Sequence, residues 1–359
     1  MDKLLLQTSL KVVTKDFNGE FRIENVDAIL VTRIRRFLNR VHNQKAIKLC
    51  YSNDSKQEND KNTVISFFRG FNPNFNDRET NDSFFEMRRA EYFEKLFVVG
   101  EKGLAYRENI VYEGIDPYFK NNPNIDDLAK LLLLVNRRLE REAFGSIEMS
   151  KLLSSVNDNL VCGYMFLLNL CHNIGGAWED KARSPFVSAA YGKDGFKKAL
   201  HFARGRQERR YSYIIWGFIC KNDDGNYMIT KELAQKMGML EAQWYEDIHS
   251  EIIIKDGIFP HNIFGVFVID SETNSKEFII NPFLYQLFYV NKGKSKYQLS
   301  DLTDYVCQNG IAIDQNDFEI CASSLGYQSY GYRLRDGYIK AGELGGEPKH
   351  YLPRNHDFF

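Results

Sequence analysis

The stretch from Glu251 to Asp270, EIIIKDGIFPHNIFGVFVID, constrains the fold more than any other part of the chain. Its two apolar runs are rich in β-branched and aromatic residues, which suit buried sheet positions. Lys255-Asp256-Gly257 reads as the turn between them, and Pro260 as a corner before the second strand, which runs through Ile269. Glu251 stands at the head of the first strand. A carboxylate there must face water, a partner or a substrate, because a buried charge without a partner is costly. It is the first residue to carry a functional question.

At 359 residues the chain is long enough for a sizeable core and two or so domains. Its 27 Phe and 20 Tyr favour β-rich cores and stacking surfaces. A net charge of -1 excludes a global field drawing the chain to nucleic acid or an anionic membrane, so any such binding falls to local patches. The six cysteines form no CxxC pair, which argues for reduced thiols and against a disulfide framework or a metal site. The opening MDKLLLQTSLKVV is too short in apolar residues for a signal peptide, and Val161–Leu170 is too short for a membrane span and carries Asn169. The chain is therefore expected in the cytoplasm with no membrane partner. Delivery by a secretion system would leave no mark readable here.

Residues 1–62 read as an N-terminal α/β extension, with a strand near Leu4–Val13 and a helix over Val26–Val41. Leu30, Ile34, Phe37, Leu38 and Val41 share one face of that helix, with Arg33, Arg35, Arg36 and Arg40 mainly on a solvated side. Ser52–Asn62 is a polar joint. A strand over Thr63–Phe71 ends in Arg69-Gly70, and a helix from Ser83 runs to Val99 and stops at Gly100. Two helices, Ile125–Phe144 and Met149–Asn173, carry no chemistry of their own and read as packing. A strand over Ser184–Ala190, a helix near Asp194–Ala203, a strand over Tyr211–Ile219 and a helix near Lys231–Met237 follow. After Asp270 a hairpin turn returns through Glu277–Ile280. Residues 282–359 read as an appendage whose helix-helix-hairpin order is that of a winged-helix module.

Three features recur at strand positions: Arg69-Gly70, the Phe186-Val187-Ser188 strand before a helix with Ala199, Phe202 and Ala203, and Glu251 before Gly257, Ile258, Pro260, Ile263, Gly265 and Val266. In that order they resemble the ADP-ribosyltransferase superfamily, in its Arg-Ser-Glu branch of cholera-like and pierisin-like toxins. The resemblance covers residues 63–270 and is most specific over 251–266. It implies an α+β fold with a mixed or antiparallel split β-sheet core over 63–281, a helical insertion at about 120–176, and small flanking elements. It also implies NAD as substrate with no metal. Arg69 would anchor the NAD phosphates, which a guanidinium fork suits, and Gly70 would let the backbone approach the nicotinamide carboxamide. Glu251 would hold the ribose 2′-OH and stabilise the oxocarbenium charge that develops as nicotinamide leaves. Ser188 would position Glu251, and Tyr191 or Phe202 would stack on the nicotinamide.

The sequence also departs from the family. Its Ser-Thr-Ser strand is Ser188-Ala189-Ala190 here, and the residue two before the catalytic Glu, usually Glu or Gln, is His249. Ser188 lies 119 positions after Arg69 (188 − 69), which requires the helices between them to be an insertion. The loop Glu241–Ser250 sits where such enzymes recognise the acceptor, with Trp244, Tyr245 and His249 as its recognition residues. The resemblance thus implies a mono-ADP-ribosyltransferase acting on a macromolecular acceptor, in a bacterial or phage toxin, effector or defence protein. Most of the branch modifies proteins, whereas Arg204, Arg206, Arg209 and Arg210 with the aromatic pair favour nucleic acid. Two alternatives stay open: an NAD glycohydrolase, and a catalytically silent module, since FFRG and the run from Ala182 to Ala203 also resemble the FRG domain.

Overall fold

The computed structural model describes residues 1–42, 64–71, 73, 83–101, 105–107, 124–132, 154, 159–173, 186–204, 210–220, 227–238, 250–255, 258, 262–290 and 332–334. It is a mixed α and β protein whose strands pair mostly antiparallel. Two compact units divide the chain. The first comprises Met1–Ala105, Ala190–Asp223 and Ile258–Phe359, the second Tyr106–Ala189 and Asp224–Gly257.

The strands in chain order are β1 (Ser9–Lys15), β2 (Phe21–Asn25), β3 (Val64–Phe71), β4 (Ala105–Arg107), β5 (Phe186–Tyr191), β6 (Tyr211–Cys220), β7 (Tyr227–Ile229), β8 (Glu251–Lys255), β9 (Ile263–Asp270), β10 (Lys276–Ile280) and β11 (Tyr332–Leu334). The helices are α1 (Asp2–Leu6), α2 (Ala28–His42), α3 (Ser83–Val99), α4 (Leu160–Asn173), α5 (Gly195–Arg204), α6 (Thr230–Lys236) and α7 (Pro282–Val290). Residues 125–132 are also helical.

In the first unit the sheet runs β2-β1-β10-β9-β6-β3. All these pairings are antiparallel except β1 with β10, which is parallel with Ser9 opposite Glu277. Ala190 and Tyr191, the end of β5, pair with Phe68 and Phe67 of β3. Every residue of β9 is buried, as expected for a strand covered on both faces.

On one face Ile214, Trp216 and Phe218 of β6 join Phe264 and Phe267 of β9 under α2, α5 and α7. Trp216 is the centre of this layer. It stacks between Phe68 and Phe267, and its indole N–H donates to Ser66 Oγ at 2.7 Å, so its polar edge is satisfied although it is fully buried. On the other face Tyr92 and Phe93 of α3 meet Phe71 and Tyr213. Gly100, at φ 71°, ends α3 in the left-handed conformation a helix stop favours.

One part of the first unit differs from the sequence expectation. The strand expected from Leu4 is α1 and then β1. Thr8 Oγ1 donates to the Leu4 carbonyl at 2.6 Å and closes a helical turn that buries Leu5 and exposes Leu6. β1 lies inside the sheet of the first unit, beside β10. Residues 282–290 form α7, with Leu284, Leu287 and Phe288 in the core beside Leu30 and Phe37. The buried Asn281 starts this helix: its Oδ1 accepts from Phe283 N–H and its Nδ2 donates to the Ile263 carbonyl, both at 2.9 Å. Pro282 follows at the first helical position, where its missing N–H costs nothing. The expected helices and hairpin beyond residue 290 lie outside the described residues, apart from β11.

The β9–β10 hairpin turns on Asp270, whose carboxylate accepts from the N–H of Glu272 at 2.9 Å and from Arg210 Nη2 at 3.1 Å. Burial pushes the Asp270 carboxyl up, but the Arg210 hydrogen bond and those from Glu272 and Thr273 together hold it below the usual carboxylate range. The ionised form therefore stabilises the fold above the unfolded value of about 4, and the contribution is lost as pH falls through the lower folded value. Asp270→Asn is expected to lower the melting temperature at neutral pH, with the gap to wild type closing in acid. A gap independent of pH in thermal melts would refute this assignment.

In the second unit β7 pairs antiparallel with β8, with Ile229 opposite Ile252, and the described strands lie in the order β5-β8-β7. The buried aromatic residues Tyr164 and Phe166 belong to α4. No described helix is long and apolar enough to cross a membrane.

Candidate active site

Strand β8 is apolar after its first residue. Ile252, Ile253 and Ile254 are buried, while Glu251 is half-buried at the head of the strand. The β7–β8 pairing ends with Ile229 opposite Ile252, so the chain neighbours Thr230 and Glu251 stand at the same end of the pair. Thr230 Oγ1 donates to Glu251 Oε2 at 3.0 Å, and Asn169 Nδ2 of α4 donates to Thr230 Oγ1 at 2.8 Å. Both Asn169 and Thr230 are fully buried. The carboxylate is thus tied by a two-bond chain to the apolar helix α4.

Ser188 lies on β5, the strand next to β8, and is half-buried between the buried Val187 and Ala189. The second unit therefore brings Ser188 and Glu251 onto neighbouring strands. Tyr191 is half-buried at the end of β5, opposite Phe67. Phe202 projects from α5 with 71% of its surface exposed, edge-on to His201.

Arg69 belongs to the first unit, on β3. Its Nε donates to Glu101 Oε2 at 2.5 Å, and the two backbones of Glu101 and Ile258 exchange hydrogen bonds of 2.8 and 2.9 Å. Glu101 thus meets Arg69 through its carboxylate and Ile258 through its backbone. Burial, reinforced by the charge of Glu101 and opposed by that of Arg69, pushes the Tyr92 hydroxyl far up, so it stays protonated.

The missing Cβ of Gly70 has a structural explanation. A Cβ there would stand 2.1 Å from the Ala199 carbonyl oxygen and 2.7 Å from the Ala203 nitrogen, both backbone atoms of α5. Gly70 is what lets α5 lie on β3. Gly70→Ala is accordingly expected to destabilise the protein by about 1–3 kcal/mol, because backbone cannot yield as a side chain can. A denaturation midpoint equal to wild type would contradict it. Gly265 is set by a similar approach, with the Ile279 carbonyl 2.4 Å from its would-be Cβ.

Trp244, Tyr245 and His249 lie outside the described residues, as do Gly257 and Pro260. Among the described residues no three His, Cys, Asp or Glu side chains group as a metal ion would require. Sequence reasoning missed Thr230, Asn169 and Glu101 as partners of the site residues. Asn169 did leave a signal, an amide inside the apolar run Val161–Leu170 that must be satisfied by something. Thr230 left a weaker one, a hydroxyl residue directly before a helical run, where its usual use is capping.

No protein-family model matches the chain, and no curated protein matches it. Among solved structures it is similar to the Scabin toxin from Streptomyces scabies in complex with NADH, at 21% identity, with a TM-score of 0.17 over 28% of this chain and 50% of that one. A variant of the same toxin is similar at 20% identity, with the same coverage and TM-score. The chain spans half the length of these structures.

Proposed function

We propose that this protein is a mono-ADP-ribosyltransferase that cleaves NAD at the bond between nicotinamide and ribose and passes the ADP-ribose to a protein acceptor. The observation that carries the reading is Glu251. It is a half-buried carboxylate at the head of an otherwise apolar strand, held by Thr230, with Ser188 on the next strand. The Arg-Ser-Glu resemblance, which pairs such a Ser with such a Glu, supports the reading.

In this reading the C1′–N bond breaks with its electron pair leaving on nicotinamide. Glu251 holds the ribose 2′-OH and faces the positive charge that develops on the sugar. A nucleophilic atom of the acceptor then bonds to C1′ and gives up its proton. By the resemblance, the nicotinamide side falls to Ser188 and the diphosphate to Arg69. Tyr191 or Phe202 stacks on the nicotinamide, and the loop with Trp244, Tyr245 and His249 meets the acceptor. The setting is the cytosol, in a toxin, effector or defence role.

The test is incubation of the full chain with NAD labelled in the adenylate and a cell lysate. Label that becomes macromolecular and is removed by protease is the expected result. Label removed by nuclease instead would make nucleic acid the acceptor. Free ADP-ribose alone would make the protein an NAD glycohydrolase, and intact NAD would leave the silent FRG-like module as the better description.

A further inference from the structure

The chain Asn169–Thr230–Glu251 has a fixed direction. An ionised carboxylate can only accept hydrogen bonds, so Thr230 must spend its single hydroxyl proton on Glu251 Oε2, 3.0 Å away. Toward Asn169 the same oxygen can then only accept, which requires the amide nitrogen rather than the amide oxygen to face it, at 2.8 Å. Both inner members are fully buried, so water cannot substitute for either bond. Thr230 is moreover the first residue of α6, yet no side-chain bond caps that helix. Its hydroxyl serves Glu251 and not the helix start.

We propose that Asn169 and Thr230 are positioning residues that fix the Glu251 carboxylate in one orientation for its work on NAD. The inference rests on the reading of Glu251 given above. A carboxylate on a side chain with three rotatable bonds samples many orientations at a strand end, and a group that must meet one ribose hydroxyl gains from having a single one. The anchor is the rigid helix α4, reached through a threonine whose own place is set by the β7–β8 register.

The experiment compares kcat and KM for NAD cleavage by the full chain carrying Thr230→Val, Thr230→Ser, Asn169→Asp or Glu251→Gln. Valine keeps the shape of threonine and removes the hydroxyl, while serine keeps the hydroxyl and removes the methyl. Asp at position 169 puts an acceptor where the chain needs a donor, and so draws the Thr230 proton away from Glu251.

Thr230→Val and Asn169→Asp are expected to lower kcat about ten- to a hundredfold with little change in KM, while Thr230→Ser stays close to wild type. A wild-type kcat in Thr230→Val, or Thr230→Ser as impaired as Thr230→Val, overturns the relay, since packing alone would give that pattern. Glu251→Gln at the wild-type rate would instead overturn the reading of Glu251 and the catalytic role of the relay with it. Denaturation midpoints supply a readout independent of activity. The shift for the Thr230→Val and Glu251→Ala double variant, in which both partners of the bond are gone, should differ from the sum of the single shifts, and simple additivity counts against the bond.

Discussion

Glu251→Gln is expected to lower kcat for NAD cleavage by about a hundred- to a thousandfold, the usual cost of removing one preorganised charge-stabilising group, while the protein stays folded. Gln is the informative replacement because of what Glu251 touches. The Thr230 hydroxyl donates to Glu251 Oε2 and is itself buried, so it must keep an acceptor. A Gln amide oxygen supplies one and leaves the bond to Asn169 unchanged. What is lost is the negative charge facing the sugar. Glu251→Ala would confound the result, since an orphaned buried hydroxyl costs about 1–3 kcal/mol of stability by itself. Steady-state cleavage of NAD, with thermal melts as the control for folding, checks the prediction. Full activity in Glu251→Gln removes the foundation of the proposed function.

Trp216→Ala is expected to destabilise the protein by about 3–5 kcal/mol, a large share of the stability of an ordinary domain. The indole is buried between the rings of Phe68 and Phe267, with Phe264 and Phe278 edge-on. These four rings come from β3 and from the β9–β10 hairpin, all held in the sheet by backbone pairing, so they cannot collapse freely into the space. The substitution also leaves the buried Ser66 hydroxyl without its indole donor. Trp216→Phe keeps most of the ring volume and should recover much of the loss, the remainder reflecting the missing hydrogen bond. Denaturant titration of both variants tests this, and a Trp216→Ala midpoint near wild type would be incompatible with the packing described.

What could be read from sequence followed the range of the interactions involved. Helix α3, from Ser83 to Val99 with Gly100 behind it, is written in local signals, and so are the strands β3, β6 and β9. Glu251 was legible because a carboxylate beside three isoleucines is conspicuous. Its holder Thr230 was not, because β7 has only three residues and no periodicity to announce it. The Arg69–Glu101 bond joins residues 32 positions apart and depends on where α3 ends, which local pattern does not encode. The close approach of α5 to Gly70 was not legible, because nothing near Gly70 in sequence announces a helix about 130 residues later (199 − 70). The leucine run at the start misled because three consecutive apolar residues fit a helical turn as readily as a strand.

The parallel pair of β1 with β10 has a consequence for how the protein is made. Ser9 and Glu277 are 268 positions apart (277 − 9). At about 5–20 residues per second, a ribosome needs roughly 15 to 50 seconds to bring the second of them into being after the first. Through that interval the β1–β2 hairpin has one edge unmatched, and the apolar side of α2 waits for α7 as well. A nascent chain in this condition keeps that strand edge and that helix face unmatched until β10 and α7 have been made.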